Sequence, residues 1–349
     1  MRTSQPGADP ARRDPAQPGP DPDGPDPAGP SLDGPSVDGP SPDGQSTVFD
    51  APFPLDVRLV LGVHRRGPQD PAFRTEPGGA IWRTSLTPDG PASVRVTASA
   101  AAGGAGPRIA ATAWGPGAGW LLGRLPDQLG FGDDPAAFRP EHPVLAQLAA
   151  RFPGLRIGRT GRVFEALVPA VLEQKVVGIE ANRAWKRLLN WHGTRAPGPA
   201  PAGLRVCPPP AVWQRVPSWD WHRAGVEAVR AATITGAARV AGRLEQICSL
   251  PSAEADRWLR SLPGIGPWTA AEIRQRACGD ADAVSIGDYH LPAQVGWALT
   301  GIPADDDQML ALLAPYAGQR HRAARLIELG GLGPPRRGPR MAVRDYRAI

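Results

Sequence analysis

Along the chain the spacing of hydrophobic residues changes once, and the change divides it into two regions. Between Leu55 and Trp114 apolar and polar positions largely alternate, in Leu55-Asp-Val-Arg-Leu-Val-Leu61, Ile81-Trp-Arg-Thr-Ser-Leu86, Ser93-Val-Arg-Val-Thr-Ala98 and Arg108-Ile-Ala-Ala-Thr-Ala-Trp114. A period of two predicts strands, and Pro88-Asp-Gly-Pro91 supplies a turn between neighbours. From about Leu125 onward the period lengthens to that of amphipathic helices. His142–Phe152 ends before Pro153-Gly154, Val163–Val177 is apolar until Glu173-Gln174-Lys175, and Ile179–Trp191 carries Arg183, Lys186 and Arg187 on its polar side. Helical runs follow at Val226–Arg230, Ala237–Ile247, Ala253–Ser261, Ala293–Thr300 and Tyr316–Ile327. Strands first and helices afterwards predict an α+β protein: a small N-terminal antiparallel β domain over 47–135 and an all-helical domain over 136–333.

Composition sets the ends apart. Residues 1–46 are a Pro/Gly/Asp/Ser stretch with repeated Asp-Gly-Pro units, too poor in apolar residues to offset the entropy of ordering, so a disordered tail is expected. Residues 334–349 read as a basic C-terminal tail. The first 50 residues hold nine Asp against three Arg, a net of −6, which leaves +11 on the rest of a chain whose total is +5. An Arg-rich basic body suits phosphate backbones, because the guanidinium presents a planar fork of donors. No secretory leader or membrane-spanning apolar run is visible, so a cytoplasmic, nucleoid-associated protein is expected. Cys207, Cys248 and Cys278 lack metal-ligand spacing, which excludes a zinc site or four-cysteine cluster and makes disulfides unexpected in that compartment. Trp213, Trp219 and Trp221 read as core, as do Trp82 and Trp114.

The stretch that carries chemistry is Ser261-Leu-Pro-Gly-Ile-Gly-Pro-Trp-Thr-Ala270, followed by Ser285-Ile-Gly-Asp288-Tyr-His290. Gly264 and Gly266 allow a tight turn, and Pro267 suits the first position of a helix. The N–H groups at that end make a seat for a phosphate oxygen, and Asp288 places one carboxylate just beyond the helix. Asp305-Asp-Asp307 reads as capping charge at a helix start.

Leu262-Pro-Gly-Ile-Gly-Pro-Trp-Thr-Ala270 with Val284-Ser-Ile-Gly-Asp-Tyr289 resembles the helix-hairpin-helix and Gly/Pro…Asp signature of the DNA glycosylase superfamily, and within it the 3-methyladenine DNA glycosylase II group. The resemblance implies a monomer acting on duplex DNA that contains damaged bases. It extrudes the target nucleotide and hydrolyses the N-glycosidic bond of alkylated purines of the 3-methyladenine type in base excision repair. Asp288 would be the catalytic carboxylate, stabilising oxocarbenium character or activating water. Trp268 and Tyr289 would line the base pocket; Gly264, Ile265, Gly266 and Thr269 would hold the DNA backbone. Gln174 and Lys175 match the turn that enters the minor groove, although an apolar wedge is common where Lys175 stands. Trp268 holds the place of the Schiff-base Lys of the bifunctional members, and no Lys lies within 261–290, so a monofunctional hydrolase is implied. No cofactor or metal is required, apart from a monovalent cation that the resemblance allows at the hairpin. The alternatives are a non-catalytic helix-hairpin-helix protein that binds DNA structure and a glycosylase for oxidised purines.

Overall fold

The computed structural model describes residues 44–101 and 105–335. Most of the expected acidic tail and nearly all of the basic C-terminal tail lie outside the described residues.

Five antiparallel strands form the sheet: β1 (Gln45–Asp50), β2 (Phe73–Thr75), β3 (Ile81–Thr87), β4 (Gly90–Ala100) and β5 (Pro107–Trp114), in the order β1-β5-β4-β3-β2. β1 is a correction to the expected tail boundary at Ser46. Gln45 and Ser46 pair with Ala113 and Thr112, so the first strand is recruited by β5 and not by its own hydrophobicity. Leu55–Leu61, expected as a strand, contains instead the short helix α1 (Val57–Leu61). The Asp56 carboxylate accepts from the N–H groups of Arg58 and Leu59, and Val57, Val60 and Leu61 are buried together at helical spacing. That cap outcompetes an alternation too short to decide the period.

The remaining chain is helical, apart from a two-stranded ribbon, Thr194–Arg195 with Arg205–Val206, that brackets the Pro/Gly linker. The principal helices are α2 (Pro143–Arg151), α3 (Val163–Leu172), α4 (Gly178–His192), α5 (Ala228–Arg239), α6 (Ser252–Arg260), α7 (Pro267–Ile273), α8 (Leu291–Thr300), α9 (Asp306–Leu313) and α10 (Arg320–Gly330). α9 opens with the anticipated acidic cap, a reciprocal box between Asp305 and Gln308.

One core joins α3, α4, α5 and the hairpin helices through Leu167, Val171, Trp185, Leu188, Trp213, Ile234, Leu259 and Ile273. A second joins α2, α8, α9 and α10 through Leu145, Val295, Met309, Leu313 and Ile327. Trp82 and Trp114 stack 5.1 Å apart beneath the sheet, as packing residues. Trp219 departs from the expected core: it is 65% exposed, while Trp213 and Trp221 are buried.

The β region is bolted to the helical region by buried polar contacts, and residues 44–335 lie within one compact unit. The Arg83 guanidinium on β3 donates to Glu165 on α3 at 3.0 Å and to Gln128 at 2.6 Å, and Ser85 Oγ donates to Glu165 at 2.7 Å. A buried charge left without such partners would cost several kcal/mol, so these contacts fix where the sheet sits.

Candidate active site

The hairpin is α6, the turn Ser261–Gly266 and α7, which continues as a π-helical turn over Arg274–Cys278. Gly264 has φ +84, and a Cβ there would stand 2.0 Å from Thr233 Oγ1, so both backbone conformation and space demand glycine. Ile265 is buried under the turn as its anchor; Gly266 caps α7, and Pro267 occupies its first position. Thr269 is buried rather than at the surface. Its Oγ1 accepts from the Gln174 amide at 2.8 Å, and the same amide donates to the Gly264 carbonyl at 2.9 Å.

Gln174 thus ties the turn after α3 to the hairpin, and the next residue protrudes from that turn. Lys175 is exposed and is the one non-glycine residue with positive φ among those described, at 55°. A lysine in the left-handed region is uncommon and is held there by its surroundings.

Asp288 follows Gly287, whose φ is +88 and whose N–H donates to the Asp306 carboxylate. Asp288 Oδ1 accepts from the N–H groups of His290 and Leu291, at 2.8 and 2.9 Å, and so caps α8. Its Oδ2 accepts from Trp268 Nε1 at 3.0 Å. Three donors fix the carboxylate at the edge of a cavity of about 330 Å³ that it lines. The hairpin's second helix and the turn before α8 therefore meet at one carboxylate.

The other two expected pocket residues fall elsewhere. Trp268 is not among the residues lining the cavity and orients Asp288 from beside it. Tyr289 is 85% exposed, packs edge-on against His290 and lies outside the lining.

The walls that sequence reasoning missed are polar. Glu272 and Gln275 come from the hairpin's second helix and its π turn, Ser285 from the loop before Asp288, Arg66 from the segment after α1, and His321 and Arg325 from α10. Ser285 Oγ donates to Glu272 at 2.6 Å, and the Gln275 amide donates to Ser285 Oγ and to the Ala283 carbonyl. Burial pushes the Glu272 carboxyl up, but Arg276, Ser285 and Arg66 together outweigh it and hold the group below its ordinary value. Burial lowers the His321 imidazole to about 3, so it is neutral at physiological pH. One signal was available: Glu272, Gln275 and Arg276 fall at i, i+3 and i+4 and so share one face of the hairpin's second helix. For Arg66 and Arg325, distant in sequence, there was none.

Cys248 and Cys278 form a disulfide that brackets the hairpin, contrary to expectation. The residues lie 30 apart in sequence, and α6 and α7 bring the ends of that segment together. Cys207 is free and buried, and burial pushes its thiol up.

No family model matches the chain. Its fold is nevertheless that of the helix-hairpin-helix DNA glycosylases. The 3-methyladenine DNA glycosylase of Archaeoglobus fulgidus superposes with a TM-score of 0.68 at 17% identity, over 81% of this chain and 97% of that one. The 8-oxoguanine glycosylase/lyase of Clostridium acetobutylicum gives 0.61 at 12% identity, over 82% and 99%. In sequence, the chain is 32% identical over 166 residues to a probable bifunctional transcriptional activator/DNA repair enzyme AlkA of Mycobacterium tuberculosis. That match covers 46% of this chain, and it spans about a third (32%) of the curated relative's length.

Proposed function

We propose that the chain is a monofunctional DNA glycosylase, which binds duplex DNA, extrudes a damaged purine into the cavity and hydrolyses its N-glycosidic bond in base excision repair. The observation that carries this reading is Asp288, a carboxylate held by three donors at the edge of a 330 Å³ cavity beside the hairpin. A cavity of that size accommodates one base, and a fixed anion there stabilises the positive charge that develops on the sugar. Gly264, Gly266 and the turn at Gln174–Lys175 form the surface that meets the DNA backbone. Hydrolysis without strand cleavage follows from Trp268, which stands where a Schiff-base amine would be needed. The A. fulgidus structure is named a 3-methyladenine DNA glycosylase and the C. acetobutylicum one an 8-oxoguanine glycosylase/lyase, and together these names support a damaged purine as the substrate class.

Asp288→Asn keeps the cap on α8, since Asn caps helices nearly as well as Asp, but removes the charge. Its release of base from damaged duplexes, read as alkali-labile abasic sites, is expected to fall at least 100-fold with DNA affinity unchanged. A fully active variant refutes the role given to Asp288, whereas DNA binding by the wild type with no base released leaves a DNA-structure-binding protein.

A further inference from the structure

The cavity lacks the chemistry that a cationic base would use. Among the described residues no Phe, Tyr or Trp lines it, so its described walls offer no cation–π contact of the kind that would hold an N-methylpurinium. Five guanidinium groups line it, from Arg65, Arg66, Arg156, Arg276 and Arg325, against the carboxylates of Glu272, Glu328 and Asp288. Those carboxylates are already engaged: Glu272 with Arg276 and Ser285, Glu328 with Arg325, and Asp288 with Trp268 and the start of α8. Two of the guanidinium groups keep a donor in reserve. Arg66 Nε and Arg325 Nε are buried and have no hydrogen-bond partner among the described residues. The Arg66 side chain is only 9% exposed; its Nη1 is spent on Glu173 at 2.9 Å, which leaves Nε without an acceptor. Buried donors without acceptors are costly, and a ligand oxygen would satisfy them.

We infer that this cavity takes an uncharged purine lesion bearing an exocyclic oxygen, bound by Arg66 and Arg325, in preference to a cationic N-methylpurine; the inference rests on the glycosylase reading. The chemistry agrees with the walls. When the C1′–N9 bond breaks, its electron pair goes to the base and water oxygen bonds to C1′; a proton from that water ends on an uncharged base, and in solvent when the base was cationic. A cationic base leaves neutral and needs no help from a donor. An uncharged base leaves with negative charge, which an oxopurine spreads onto its exocyclic oxygen, where a guanidinium stabilises it more than in the ground state. His321, neutral on the same wall, adds no positive charge of its own.

The test is single-turnover base release by the full chain from duplexes identical except for one hypoxanthine, 8-oxoguanine or 7-methylguanine. Each rate is expressed as enhancement over spontaneous loss of that base. The enhancement for at least one oxopurine is expected to exceed that for 7-methylguanine by 100-fold or more. Arg325→Met and, separately, Arg66→Met are expected to lower that ratio at least tenfold. Should Arg66→Met fail to fold, Arg325→Met, whose side chain is 24% exposed, carries the test alone. Equal or greater enhancement for 7-methylguanine, or variants that slow both bases alike, overturns the inference while leaving the glycosylase reading intact. No release of any base removes both.

Discussion

Trp268→Phe isolates one bond of the site. The ring body and its packing are kept, while the 3.0 Å hydrogen bond from Nε1 to Asp288 Oδ2 is lost. Oδ1 remains held by the His290 and Leu291 N–H groups, so the carboxylate stays in its turn but gains freedom to rotate about its last bond. A hydrogen bond to a charged acceptor contributes about 1.5–3 kcal/mol. If half or more of that is expressed only when positive charge grows on the sugar, the barrier rises by roughly 1–2 kcal/mol, a slowing of about 5- to 30-fold. The assay is single-turnover release of the base found best for the wild type, at saturating enzyme, with DNA affinity measured in parallel by fluorescence anisotropy. Slower chemistry at unchanged affinity is the expected result. A rate equal to or above the wild type would show that Trp268 only packs there, and would remove orientation of Asp288 from the mechanism.

Two further outcomes concern stability. Asp133 and Arg322 form an ion pair in which both side chains are almost fully buried, and Asp133 also accepts from the Ile157 N–H at 3.0 Å. Removing one partner, as in Arg322→Met, strands the other charge and is expected to cost about 3–5 kcal/mol in urea unfolding; a loss under 1 kcal/mol would contradict the burial argument. His321 is the second case. Its imidazole is held neutral, about 3 against an unfolded value of 6.5, so the unfolded chain binds the extra proton first. Stability from this group is full above pH 6.5 and is lost as pH falls towards 3, and His321→Gln should flatten the acid limb of a melting-temperature profile. An unchanged limb would show that the imidazole is not protected.

The parts of this protein that could be read from its sequence are those fixed by local backbone rules. Gly264, Gly266 and Pro267 announce a hairpin because only those residues suit the turn, and Asp288 stands out as the carboxylate that ends the motif. α2, α4 and the capped start of α9 were visible for the same reason, as periodicity bounded by caps. What escaped depends on long-range pairing. β1 owes its existence to β5, more than fifty residues away, and α1 is decided by one Asp side chain. The cavity walls gather Arg66, Glu272, His321 and Arg325 from three separate parts of the chain, and a charged residue looks the same in sequence whether it faces solvent or a pocket. The disulfide was missed because two cysteines 30 apart say nothing until the hairpin folds them together. Trp219 shows the opposite error, in which aromatic character suggested burial and the ring lies outside.

Asp288 performs two duties with one side chain: one oxygen starts the helix α8, and the other faces Trp268 at the cavity's edge. The position is thereby constrained twice over. A longer acid would keep the charge but lose the reach to both amides, and a neutral cap would keep the helix but lose the charge. A fall in melting temperature after Asp288→Ala would therefore measure a helix end and say nothing of catalysis, whereas Asp288→Asn separates the two. The same coupling means that drift in the architecture around α8 moves the carboxylate with it, so the scaffold and the chemistry must change together or not at all.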